Sequence, residues 1–150
     1  FDWVRAAKPT QPVTCGLWQG DWSEAGLKPV HRLARDASDI TSFHNYQNRD
    51  GMERHVALLP RDRPLLCTEY MARGAGSTFA DVLPYLKEQG IGAIQWGFVQ
   101  GKTQTHLPWD SWRNPYHDAD PEPWFHELFR ADHTPYRADE VALIRGRTGR

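Results

Sequence analysis

The chain has 150 residues, 39% of them hydrophobic, with 18 basic and 19 acidic side chains and a net charge of −1. That length and apolar content support one packed domain and exclude global disorder. The charge balance gives no basis for binding nucleic acid or an anionic membrane surface, and no apolar run is long enough to span a bilayer.

The predicted elements alternate. A strand-like run at residues 12–18 is followed by a helix-compatible segment at 24–37, where Leu27, Val30, Leu33 and Ala34 recur at helical spacing and Pro29 limits where the helix begins. A second strand run covers 39–44, and a shorter helical segment covers 52–59. The third strand run, 64–69, ends at Glu69. The helix predicted over 77–89 has Ser77 or Thr78 as its cap, an apolar face of Phe79, Val82, Leu83 and Leu86, and Gly90 as its stop. Pro84 inside it predicts a kink or a helix that starts nearby. The fourth strand run is 91–98, and helices are expected again at 123–129, around Trp124, Phe125, Leu128 and Phe129, and as a closing piece at 137–145. The tail at 145–150, with three Arg and two Gly, is expected to fray.

The strand runs start at residues 12, 39, 64 and 91, about 25 to 27 apart, which is βα spacing and implies a parallel sheet. The unit length is near the roughly 30 residues of a barrel repeat. No glycine-rich phosphate turn follows Trp18, which counts against a doubly wound nucleotide fold without removing an open four-stranded sheet. Four units cannot close an eight-stranded barrel, so the barrel reading is half of one, with the other half before Phe1. The two cysteines, Cys15 and Cys67, lie in apolar runs and are expected as buried free thiols.

In a barrel, chemistry collects at the C-terminal ends of the strands. Those ends carry Trp18, then His44 and Tyr46, then Glu69, then Trp96. Alternation along a strand places Cys67 and Leu65 on the face of Glu69, and Ser42 and Ile40 on that of His44. Glu69 ends an otherwise uncharged strand, and its alternatives are a hydrolytic carboxylate or an ion pair with a cation such as Arg73. A carboxylate nucleophile must stay ionised, and donors such as the Tyr46 hydroxyl and a nearby imidazole favour the charged form. Seven tryptophans in 150 residues is a high number and suggests either flat apolar ligands such as sugar faces or an unusual core. Lys102, Gln104, Trp109, Asp110 and Trp112, in the segment after the fourth run, are candidates to line sugar subsites. Arg73 to Ser77 reads as a plain loop and helix cap, with anion binding as its alternative. No metal-ligand spacing occurs among the seven histidines, and no cofactor is expected.

The segments Ser42-Phe43-His44-Asn45-Tyr46, Cys67-Thr68-Glu69-Tyr70 and Gln95-Trp96-Gly97-Phe98 resemble strands six, seven and eight of the clan A retaining glycoside hydrolases. The run from Trp96 to Thr105, followed by Pro108-Trp109-Asp110-Ser111-Trp112, is similar to family 5-type enzymes described as cellulase-like or β-xylanase-like. The resemblance implies an α/β fold, the C-terminal half (strands five to eight) of a (β/α)8 TIM barrel. It implies Glu69 as nucleophile, Tyr46 as the tyrosine touching it, His44 as its neighbour, and Trp96 as the platform under the cleaved sugar; Trp18 joins them as a substrate-binding candidate from its strand-end position. It also implies an oligo- or polysaccharide substrate, an export route outside the cytoplasm, and an N-terminal half-barrel that carries the acid/base glutamate after an Asn. No Asn-Glu pair occurs in this chain, and Glu24 and Glu53 lie in or near helical segments. A non-catalytic carbohydrate-binding protein with the same aromatic cleft is the alternative, and a half-barrel that dimerises is a third.

Overall fold

A computed structural model describes residues 1–149. Among the described residues five helices, α1 (Asp2–Ala6), α2 (Pro29–Ala37), α3 (Arg49–Val56), α4 (Phe79–Glu88) and α5 (Ala138–Thr148), alternate in part with three strands, β1 (Thr41–His44), β2 (Leu65–Glu69) and β3 (Gly92–Ala93). The strands form one parallel sheet in the order β1-β2-β3. The chain is therefore α/β with a small parallel sheet. Among the described residues no helix is long and apolar enough to cross a membrane.

Three strands form where four were expected. Residues 12–18 flank β1, but only Leu17 bridges to it, opposite Phe43. Apart from a backbone bond from Asp39 N to Val13 O, the other contacts of this run use side chains. Val13 N donates to Asp39 Oδ2 at 2.7 Å, Cys15 N to Ser38 Oγ at 3.1 Å, and the Thr14 and Ser42 hydroxyls meet at 2.7 Å. Arg5 also holds Asp39 through two hydrogen bonds of 2.8 Å, and its guanidinium, with the Val13 amide, keeps that carboxyl down at about 2. Without a ladder this segment stays at the surface. Cys15 is consequently exposed, against expectation, while Cys67 in β2 is buried.

The fourth run is likewise cut short. Ile94 N still donates to Cys67 O and Trp96 N to Tyr70 O, but Gly97 turns to φ +85°, and residues 98–100 then pair with 128–129. A Cβ on Gly92 would meet Leu66 Cδ1 at 2.6 Å, so glycine is what lets β3 approach that side chain.

Helix starts follow local chemistry. Pro29 occupies the first turn of α2, where its missing N–H costs nothing, and the 24–28 stretch is not helical. α3 begins at Arg49, earlier than expected, because the Asn48 side chain caps it by accepting from Gly51 N. Thr78 caps α4 through Asp81 N, whereas Ser77 Oγ accepts from Met71 N. α4 runs through Pro84 instead of starting there. The carbonyl that loses its donor belongs to Ala80, which is exposed and open to water.

Residues 123–129 form no helix. Their backbone bonds go to distant partners: Phe125 N to His106 O, Arg73 N to Phe125 O, and Leu128 N and Phe129 N to Phe98 O. The apolar positions that suggested a helical face are buried all the same, with Trp124, Phe125 and Leu128 at 9% exposure or less. α5 continues through Thr148 with Gly149 as its left-handed cap, and Arg150, the end of the tail expected to fray, lies outside the described residues.

One core joins these parts. Phe43, Cys67 and Leu65 from the sheet pack with Met52 and Val56 of α3 and with Phe79, Val82 and Leu86 of α4, and Val141 and Ile144 of α5 close against it. Arg73, in a 3-10 turn at Arg73–Ala75, anchors α5. Its guanidinium donates to Glu140 Oε1 at 2.8 Å and Oε2 at 2.5 Å, and to the Trp124 and Glu127 carbonyls. Arg73 is thus paired with Glu140, not with Glu69.

Candidate active site

The C-terminal ends of β1 and β2 carry the site. The β1-β2 register pairs Phe43 with Cys67 and then His44 with Glu69, so Thr68 is skipped. In a parallel pair, facing residues project to the same side. The irregularity therefore sets Glu69 beside His44, while Cys67 and Leu65 remain in the helix-facing core. Simple alternation, which grouped Cys67 and Leu65 with Glu69, fails at this bulge.

Beyond β1 the chain turns on Asn45. Its backbone N donates to Glu69 O, its Oδ1 accepts from Gln47 N at 2.8 Å, and its Nδ2 lies 2.9 Å from His55 Nδ1. The turn brings Tyr46 over the end of β2. Tyr46 Oη donates to Glu69 Oε2 at 2.7 Å, and His44 Nδ1 stands 3.2 Å from the same oxygen. Among the described residues Oε1 has no hydrogen-bond partner. Burial, then the hydrogen bond and charge of Glu69, push the Tyr46 phenol well above its ordinary range. It therefore stays a donor at any ordinary pH.

Immediately after Glu69 and Tyr70, the buried Met71 adopts φ +70°, a conformation disfavoured for a side chain of its size. Bonds at both ends hold it: its N donates to Ser77 Oγ, and its carbonyl contacts His126 Nδ1 at 2.7 Å.

Indoles complete the walls. Trp18, Gln19, Tyr46, Glu69, Trp96 and Trp109 enclose an open cavity of about 440 Å³. A second hollow of about 220 Å³ adjoins it across Trp18, Tyr46 and Trp109, and reaches down to Asn45 and His55. Tyr46 is the hinge of this aromatic lining, edge-on to Trp18 at 5.7 Å and to Trp109 at 5.1 Å. Trp18, Trp96 and Trp109 are 41%, 44% and 51% exposed, so their faces are open to a ligand rather than spent in the core. Glu69 is the only carboxylate that lines either cavity among the described residues.

His44, Tyr46, Glu69, Trp18, Trp96 and Trp109, all singled out from the sequence, thus meet in one place. Lys102 and Gln104 do not. They sit on an exposed turn, with Gln104 at φ +54°, and line neither cavity. Trp112 is 74% exposed and pairs with Arg113 instead, the guanidinium lying 4.3 Å from the ring centroid.

Sequence reasoning missed Gln19, His55 and His126. The last was hidden within the segment read as a helix, and no spacing rule links it to a site residue. Compared with family models, with curated proteins and with solved structures, the chain gives no match.

Proposed function

We propose that this chain is the C-terminal half, strands five to eight, of a (β/α)8-barrel retaining glycoside hydrolase of family 5 type, acting on β-linked glycans. The observation that carries the reading is the double contact on one oxygen of Glu69, from Tyr46 at 2.7 Å and His44 at 3.2 Å, at the C-terminal end of a parallel strand beneath three open indoles. The motif resemblance in these same segments supports it. On this reading one Glu69 oxygen is oriented by its donors and the other is free to bond to the anomeric carbon. The leaving oxygen departs with a proton from an acid, and water later cleaves the glycosyl ester. Trp96 and Trp18 offer apolar faces to the sugar's CH groups.

The acid must come from a carboxyl group about 5 Å from the nucleophile. Since Glu69 stands alone in the cleft, we assign the acid to a partner, the N-terminal half-barrel. The same lone carboxylate favours a second reading, a carbohydrate-binding protein that no longer catalyses.

A trapping experiment separates the two. A 2-deoxy-2-fluoro β-glycoside with a dinitrophenolate leaving group needs no acid for departure, and the fluorine slows release of the ester. The expected result is a stoichiometric mass increase on the peptide containing Glu69, absent in Glu69→Gln. A label on another residue, or labelling that persists in Glu69→Gln, would remove Glu69 from the role. Sugar binding without any label would support the non-catalytic reading.

A further inference from the structure

The segment from 97 to 137 contains no regular helix or strand, yet it delivers Trp109 to the shared wall of both cavities. An indole on an irregular loop needs an external fix if its plane is to be reproducible. Trp109 has one polar atom, Nε1–H, and it donates to His126 Nε2 at 3.0 Å.

The other nitrogen of that imidazole decides what the contact means. His126 is 1% exposed, and its Nδ1 lies 2.7 Å from the Met71 carbonyl. A carbonyl oxygen can only accept, so Nδ1 carries the proton and Nε2 of the neutral ring is left as an acceptor. The indole N–H can only donate, and it meets that lone pair. His126 is therefore a relay between the strained Met71 turn, two residues past Glu69, and the wall formed by Trp109.

His126 is itself held from behind. A Cβ on Gly97 would lie 3.0 Å from His126 Cβ, so the chain just after Trp96 packs against it. The neighbouring Glu127 is fully buried, accepts from Thr105 Oγ1 at 2.8 Å and faces His106 Nδ1 at 3.4 Å. Glu127 Oε2 and His106 Nδ1 have no hydrogen-bond partner among the described residues and face each other only at that distance. Residues 126–127 thus tie down both ends of the 97–109 stretch.

We infer that His126 is the positioning residue of the cleft: as the Nδ1–H tautomer it fixes Trp109 through its Nε2 acceptor, and it releases Trp109 when that nitrogen takes up a proton. The inference rests on the glycan reading only for what the cleft binds. Burial and the nearby Arg73 hold the imidazole below its ordinary range, partly opposed by the Met71 contact and by Glu69. The other titratable groups around it are Tyr46, whose ring centroid is 5.5 Å away, and Glu127, whose carboxylate is turned to Thr105 and His106. Two donors cannot share the gap between an imidazolium and an indole, so protonation breaks the bond instead of weakening it.

The test follows the Trp109 indole proton by NMR, assigned with Trp109→Phe, as a protection factor against hydrogen exchange. His126→Phe should lower protection at least tenfold at pH 7.5, with the core amides still slow to exchange. His126→Gln keeps an acceptor oxygen and a donor, and should retain protection. In the native chain, protection should fall as the pH is lowered from 7.5 and the His126 ring nitrogens titrate, whereas in His126→Gln it should not change with pH. The native titration decides the matter if His126→Phe does not fold. Equal protection in the native chain and His126→Phe, or protection unchanged while the His126 ring titrates, would overturn the inference. Xylohexaose and cellohexaose supply the ligand arm. Binding of either should weaken about tenfold in His126→Phe and recover in His126→Gln. Failure of both sugars to bind the native chain, with protection behaving as described, would defeat the glycan reading and leave the role of His126 standing.

Discussion

Cys67 sits fully buried in β2, and burial pushes its thiol up to about 12, while Cys15 lies open on the flanking segment. Thiolate, not thiol, attacks a disulfide reagent. At pH 8 in native buffer a chromogenic disulfide should therefore titrate one thiol rapidly, and Cys15→Ser should abolish that phase. Cys67 should react only in denaturant. Two fast thiols would place Cys67 at the surface. The linkage sign follows from the raised folded-state value: Cys67 contributes stability that is complete below about pH 9 and is lost as pH rises toward 12. Tyr46, also raised, acts in the same direction at higher pH. At this scale the sequence was informative where the residue type alone carries the chemistry. Glu69, His44, Tyr46 and the indoles of Trp18, Trp96 and Trp109 could be picked out because few other roles suit them at strand ends. His126 could not, since its role depends on two atoms, Met71 O and Trp109 Nε1, far from it along the chain.

α5 depends on one buried ion pair more than on its own sequence. Arg73 and Glu140 are 7% and 9% exposed, and the guanidinium also carries two carbonyls. Removing one partner leaves an uncompensated buried charge, which typically costs about 3–5 kcal/mol. Arg73→Met should lower the unfolding free energy read from urea titration by that amount, with the slope unchanged, and speed amide exchange in α5 before other elements. The pair Arg73→Met with Glu140→Leu should recover much of the loss, because no charge is then stranded. A single substitution costing under about 1 kcal/mol would mean that the pair is solvated. Elements were legible wherever local signals agreed: Pro29 and Thr78 mark helix starts by local chemistry alone. The 123–129 segment misled because burial, not helicity, set its apolar pattern. Its amides found carbonyls more than a dozen residues away, and a period of apolar residues does not record which partner an amide takes.

Across the molecule, the apolar surface on and just beyond the end of the sheet is incompletely covered. Ile94 and Phe98 are 52% and 60% exposed, Trp96 44%, and Leu66 is half-buried beside Gly92. A parallel sheet normally has both faces packed. Under the half-barrel proposal this surface belongs to a barrel interior, and the chain alone lacks an acid. Purified chain should therefore leave an unactivated β-linked oligosaccharide intact, since losing a general acid typically costs about 10² to 10⁴ in rate. Adding the N-terminal half as a separate polypeptide should restore turnover and protect Ile94 and Phe98 from solvent. Clear turnover of that oligosaccharide by the monomeric chain would mean that an acid within these residues has gone unrecognised.

The mixed α/β class, the parallel sense of the sheet and the residue types at the strand ends were legible in the sequence. They follow from the 25- to 27-residue spacing of the strand runs and from caps and apolar period within each segment. Tertiary structure alone decided that the 12–18 run is no strand, that Glu69 faces His44 across a register irregularity, that Arg73 belongs to Glu140, and that Lys102 and Gln104 stay outside the cleft. The physical reason is common to all four. Each is a choice among competing partners for one donor, one acceptor or one charge, and the winner is set by where the rest of the chain brings those partners, which no local pattern encodes.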